Sequence, residues 1–168
     1  MFVLGGTRSG KSRYAEDAAR RLGGERVAYL ATARPGDPEM EVRIAAHRRR
    51  RPVAWTTLEV GLDLAAAVEA VPAGHALLVD SLALWVAALI EAGEAAADHW
   101  TAVATAMGER DAPVILVSDE VGLGLVPASA LGRRFRDELG TLNQEVATFA
   151  DEVVLVVAGL PLSLRARP

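Results

Sequence analysis

The chain has no cysteine, so disulfide staples, thiolate metal sites and cysteine nucleophiles are all excluded. Only 3 histidines are present among 168 residues, too few for a dedicated imidazole cage, and aromatic residues make up 5%. No uninterrupted apolar run approaches the ~18 residues needed to cross a bilayer, and no basic-then-apolar leader precedes the first motif. These absences lead us to expect a cytoplasmic protein with no membrane span. Positive charge is also in deficit, with 18 Lys and Arg against 22 Asp and Glu, a formal charge of −4. Nucleic acid is therefore not an expected partner, and the local run from Arg48 to Arg51 needs its own explanation. What remains is a chain half apolar and long enough for one core, read as a single domain over residues 1–168.

The most informative stretch is GGTRSGKS, from Gly5 to Ser12, directly after the apolar start Met1 to Leu4. Gly5, Gly10, Lys11 and Ser12 satisfy the phosphate-loop pattern G-x-x-x-x-G-K-[ST], with Gly6, Thr7, Arg8 and Ser9 completing the loop. Glycines let the backbone curl with its N–H groups inward, and the following helix turns its positive end to the same phosphates. Lys11 is then expected to reach the outer phosphates of a nucleoside triphosphate, and Ser12 a Mg²⁺ ion. An ordinary glycine-rich strand-to-helix turn is the plain alternative.

Short apolar runs alternate with helical patterns along the rest of the chain. Strands are expected near residues 1–4, 26–31, 76–80, 113–118 and 152–158, with an extended piece at 53–58. Helices are expected over 11–22, 39–51, 62–71, 82–92, 98–109 and 128–150, with a turn at Pro35 to Pro38 and a Pro-containing tail after 158. This alternation predicts an α/β fold with helices on both faces of a mainly parallel sheet, and ligands at the carboxyl ends of its strands.

Asp80 closes the apolar run ALLVD, where a carboxylate can hold Mg²⁺ opposite a phosphate loop or else cap the helix that starts near Leu82. Arg43, His47, Arg50 and Arg51 fall at helical spacing on roughly one face. Nearby guanidiniums suit phosphate and disfavour the imidazolium, which leaves His47 neutral and able to attack phosphorus; a solvated basic face with an incidental histidine is the alternative. SDEVGLGLVP, from Ser118 to Pro127, reads as a site loop past a buried strand. Asn143 and Gln144 either bond within the site or crosslink helices. Trp55, Trp85 and Trp100 read as packing anchors. His75 and His99 are given no role.

Several segments together resemble the bifunctional adenosylcobinamide kinase and adenosylcobinamide-phosphate guanylyltransferase family of cobalamin biosynthesis, over nearly the whole chain. They are GGTRSGKSRYAE, YLATA, DPEMEVRIAAHRRRRPVAWTTLE, LLVDSLALW, SDEVGLGLVP and FRDELGTLNQEVATFADEVVLVVAGLPLSL. The resemblance implies a P-loop NTPase (RecA-like) three-layer fold. It implies two activities at one nucleotide site: phosphorylation of adenosylcobinamide, then GMP transfer from GTP through a guanylylated histidine, here His47. It extends the nucleotide contacts to Ala31, Thr32 and Ala33, to Arg48, Arg49, Arg50 and Arg51, and to Glu59 and Asp80, with Ser12 and Asp80 at Mg²⁺. It also implies a homotrimer. The chain departs from the family pattern at Ser81, Ala83, Ala87 and Ala88, where Cys, Thr, Thr and Asn are usual, and at Asp119, where Asn is usual. From the residues alone, a small-molecule kinase without a covalent intermediate and a non-catalytic nucleotide switch remain open.

Overall fold

In the computed structural model, residues 1–33 and 38–166 are described; for residues 38–40, Arg43 and Ala46 only the backbone is described. The turn expected over Pro35 to Pro38 and the side chain of Arg43 thus lie outside the described residues. Strands β1 (Phe2–Gly5), β2 (Val27–Ala31), β3 (Thr56–Glu59), β4 (Ala76–Asp80), β5 (Val114–Asp119), β6 (Val153–Val157) and β7 (Leu160–Arg165) form one sheet in the order β3-β2-β4-β5-β1-β6-β7. Every neighbouring pair is parallel except β6 with β7. Helices α1 (Lys11–Gly23), α2 (Pro38–Arg50), α3 (Leu64–Glu69), α4 (Leu82–Glu91), α5 (Ala96–Gly108) and α6 (Ala130–Phe149) make the connections.

The central strands read as unbroken apolar runs because successive side chains point to opposite faces and both faces are covered. Phe2, Leu30, Leu77 and Leu116 join the core under α3, α4, α5 and α6. Their neighbours Val3, Tyr29, Leu78 and Val117 join a second core with Ala15 and Ala19 of α1 and with Trp55. Three layers result, as the sequence pattern implies. Trp85 is fully buried and donates from its indole to Leu62 O at 2.8 Å, while Trp55 donates to Gly24 O at 3.1 Å, so the packing reading of these residues holds. His99 pairs with Glu94 at 2.6 Å and meets Trp85 edge-on.

Three local readings are corrected. The Pro-containing tail is a strand, β7, whose edge position spares Pro161 the need for a central ladder donor. A two-residue turn at Ala158 and Gly159, with φ of 51° and 81°, returns the chain. The third helix is shorter than the apolar pattern suggests, because the Asp63 carboxylate accepts from Ala66 N and caps it two residues later. Finally, the N-cap of α4 is Ser81, and Asp80 accepts no bond from that helix start, so the capping alternative for Asp80 fails.

Candidate active site

The parallel strands point their carboxyl ends to one edge, and the loop after β1 turns there into α1. Gly10 adopts φ 97°, open to glycine without strain, and a Cβ on Gly5 would lie 2.4 Å from Ser9 Oγ and 2.7 Å from Val156 O. The loop is tied by Ser9 N donating to Gly6 O at 3.2 Å and by Gly159 N donating to Ser9 O at 2.7 Å. The last of these fixes it to the β6–β7 turn.

Beside the loop is a cavity of about 400 Å³. Thr7, Lys11 and Ser12 line it from the loop and the start of α1, Tyr29 and Ala31 from β2, Ala33 from just after β2, and Asp80 and Ser81 from the end of β4 and the residue after it. Glu41, Ile44, Ala45, His47 and Arg48 of α2 close it from above, with Arg51, Glu59, Leu84 and Asp119 at the sides. Tertiary structure thus brings Lys11, Ser12, Ala31, Ala33, His47, Arg48, Arg51, Glu59 and Asp80 together. Gly5, Gly6, Arg8, Ser9 and Gly10 shape the loop without lining the cavity. Thr32 is buried, its hydroxyl donating to Ser81 O at 2.7 Å and accepting from Ser81 N at 2.8 Å, which joins the ends of β2 and β4. Arg49 is exposed and does not line the cavity.

The basic run does not present one solvated face. Arg48 pairs with Glu59, Arg50 reaches Glu16 of α1 at 3.2 and 3.3 Å, and Arg51 lies over the Tyr29 ring at 3.4 Å while donating to Thr57 Oγ1 at 3.3 Å. Glu16 is 5% exposed, so its charge is matched by a guanidinium that seats the end of α2 on α1. Tyr29 is a site residue the sequence reading missed. Its hydroxyl donates to Asp80 Oδ2 at 2.7 Å. Burial, then the Asp80 charge, push its pKa far up, so it keeps its proton and remains a donor. The available signal was its position, two residues before the end of a strand that delivers Ala31 to the site.

His47 lies between opposing charges. Its Nδ1 is 3.8 Å from Asp80 Oδ2 and 3.2 Å from an Arg50 nitrogen. Burial lowers its pKa from the ordinary imidazole value; Asp80 and Glu16 oppose this, and Arg50 and Arg51 add to it. The net shift favours the neutral ring, for which the 3.8 Å approach to Asp80 is not an ion pair. Arg50 can only donate, which puts a lone pair on Nδ1 in this arrangement. Turning Nδ1–H toward Asp80 instead would free the lone pair of Nε2.

Asn143 Nδ2 donates to Asp119 O at 3.0 Å, fixing the end of β5, whereas Gln144 bonds only within its own helix. Glu120 turns back to accept from Gly122 N and Leu123 N at 2.8 and 3.1 Å, a loop-shaping role. Among the described residues no cluster of three or more His, Cys, Asp or Glu is suited to hold a metal.

A relative from Pseudomonas aeruginosa, the bifunctional adenosylcobalamin biosynthesis protein CobP, is 46% identical over 99% of this chain and 98% of its own length. Another relative, the bifunctional adenosylcobalamin biosynthesis protein CobU of Salmonella typhimurium, is 37% identical over 98% and 99%. Among solved structures, the flagellar accessory protein FlaH of Methanocaldococcus jannaschii superposes with a TM-score of 0.56 at 11% identity, covering 99% of this chain and 77% of that one; this shows the RecA-like α/β fold alone. The family description cobinamide kinase / cobinamide phosphate guanyltransferase matches residues 1–164. With near-complete coverage on both sides of the alignments, the chain belongs to the cobinamide kinase / cobinamide phosphate guanyltransferase family.

Proposed function

We propose that the cavity binds ATP or GTP against the Gly5–Ser12 loop and serves both reactions of the family in turn. In the first, the terminal hydroxyl of adenosylcobinamide attacks the γ-phosphorus, the bond to the β-bridging oxygen breaks, and a nucleoside diphosphate and a proton leave. Loop amides, Lys11 and the positive end of α1 offset charge on the transferring group. In the second, a neutral ring nitrogen of His47 attacks the α-phosphorus of GTP and pyrophosphate leaves, so GMP is held through a phosphorus–nitrogen bond. A phosphate oxygen of adenosylcobinamide phosphate then attacks that phosphorus, the phosphorus–nitrogen bond breaks, and adenosylcobinamide-GDP forms.

The observation carrying this reading is that His47 lines the same cavity as Lys11 and Ser12, and burial shifts its pKa toward the neutral ring. A phosphate-binding kinase would need the loop but not an imidazole kept uncharged beside it. Asp80 bears on the ring as well: once Nδ1 turns from Arg50 to donate its N–H to Asp80, Nε2 is left as the nucleophile. Gly6 to Ser12 contact the phosphates, with Ala31, Thr32, Ala33, Arg48, Arg51 and Glu59 around the rest of the nucleotide. Arg49 and Arg50 act at the rim, Arg50 chiefly by seating α2.

Of the hydroxyls and carboxylates that line the cavity, Ser12 at the start of α1 and Asp80 at the end of β4 are the pair that would hold Mg²⁺ carried in with nucleotide, the other positions being left to phosphate oxygens and water. Bound there, Mg²⁺ would neutralise phosphate charge.

We place the protein in the cytoplasm, where both nucleotides are made; among the described residues no helix is long and apolar enough to cross a membrane. A homotrimer accords with the apolar stripe Leu160, Leu162 and Leu164 on the edge strand, exposed at 72, 56 and 55%. The test is incubation with Mg²⁺ and α-³²P-GTP, followed by denaturation. Acid-labile, alkali-stable label on wild type and none on His47→Ala is expected. Absence of label from both, in protein that binds GTP, leaves a kinase without a covalent intermediate.

A further inference from the structure

Lys11 is not waiting free for phosphate. Its ammonium donates to Asp119 Oδ1 at 2.7 Å and to Gly6 O at 3.3 Å, and the pair is sheltered, with side-chain exposures of 12% for Lys11 and 25% for Asp119. Asp119 is not a mobile surface acid. It ends β5, which lies between β1 and β4, and it stands in register beside Gly5. Its carbonyl is held by Asn143 and its side chain lines the nucleotide cavity with Thr7, Ser12 and Asp80. A fixed anion is therefore bonded to the cation that the phosphate loop provides for nucleotide.

We propose that Asp119 is an internal stand-in for phosphate, which nucleotide must displace from Lys11, and that it thereby sets nucleotide affinity and release. This rests on the reading of Lys11 as a phosphate ligand. Binding exchanges a carboxylate–ammonium pair for a phosphate–ammonium pair, so only the difference between the two contributes to affinity. The displaced carboxylate also remains near the incoming phosphate charge. Asp119 is thus a positioning residue: it keeps Lys11 folded back on its own loop while the site is empty, and it competes for Lys11 when product leaves.

Asp119→Asn retains shape and a weaker acceptor while removing the charge. The test is isothermal titration of the full-length protein with α,β-methylene-GTP and Mg²⁺, a probe whose α–β bond His47 cannot break. About tenfold tighter binding is expected for Asp119→Asn, the scale of one charge-assisted hydrogen bond discounted for partial exposure. In a Lys11→Ala background the same change should bring little or no gain, since the competition acts through the ammonium. In turnover, KM for GTP should fall in Asp119→Asn by a factor similar to that in binding, without a rise in kcat. Melting curves with and without the analogue check folding and should show a larger ligand-induced rise for the variant. Asp119→Ser provides the same comparison if the Asn protein is unstable.

Equal or weaker binding by folded Asp119→Asn and Asp119→Ser overturns the proposal, and so does a gain that persists in full without Lys11. Failure of the wild type to bind the analogue would instead overturn the nucleotide-site reading itself.

Discussion

Replacing Tyr29 by Phe removes one oxygen from the centre of the site and leaves the ring under Arg51. The hydroxyl is the donor that Asp80 Oδ2 accepts at 2.7 Å, and neither partner has ready access to solvent, with Tyr29 1% exposed and the Asp80 side chain 9%. A hydrogen bond to a charged group contributes about 1.5–3 kcal/mol, and near-complete burial argues for the middle of that range, about 2 kcal/mol. For a domain of this size each kcal/mol corresponds to about 2–4 °C, so Tyr29→Phe should melt about 6 °C lower. Differential scanning calorimetry measures this directly. The guanylylation assay should show a lower kcat with KM for GTP little changed, because Asp80 loses the contact that orients it toward His47 while the phosphate loop is untouched. A variant melting within about 1 °C of wild type, with unchanged kcat, would refute the claim that Tyr29 holds Asp80.

Burial and the Arg50 and Arg51 charges lower the pKa of His47, so the neutral ring should persist as pH falls past 6.5 and, on the proposed mechanism, the acid limb of GMP-protein formation at limiting GTP should lie below that value. Arg50→Gln, by removing one cation, should move that limb upward; a wild-type limb at or above 6.5 would contradict the assignment. Gly5→Ala would drive a Cβ to 2.7 Å from the Val156 carbonyl oxygen, and about 2 kcal/mol of stability should be lost along with nucleotide affinity, seen by melting and titration. Arg110 donates to Val68 O, Val71 O, Pro72 O and His75 O at 2.9–3.3 Å, clipping the end of α3 to the start of β4 at the edge of the sheet opposite the cavity. Arg110→Ala should therefore cost about 2 kcal/mol in thermal stability with kcat/KM unchanged.

The covalent order of residues determined the loop from Gly5 to Ser12, the alternation of apolar runs and helices, and hence a three-layer parallel sheet. These are local in sequence: a loop pattern is contiguous, and burial on both faces writes itself as an unbroken apolar strand. The family was legible for the same reason, in segments such as RIAAH and LLVDSLALW whose residues are contiguous. That Asp80 would lie at the carboxyl edge of the sheet was legible because it ends an apolar run, and it does line the cavity there. The partners of these groups were not legible. Tyr29 looks like one more core aromatic until β2 and β4 are laid side by side, and Glu16 looks like a solvated residue of α1 until α2 brings Arg50 to it. The Pro-containing tail alternates Leu160, Leu162 and Leu164, but Pro161 masked this strand pattern, since only at an edge is a missing N–H tolerated. The basic run from Arg48 to Arg51 is contiguous in the chain, yet its side chains separate to Glu59, solvent, Glu16 and Tyr29, since consecutive helical residues point about 100° apart and only the packed neighbours decide what each one meets. Sequence fixed which chemical groups the chain carries; the tertiary structure decided which charges face one another, because pairs such as Lys11 with Asp119, 108 residues apart, exist only once the sheet aligns its strand ends.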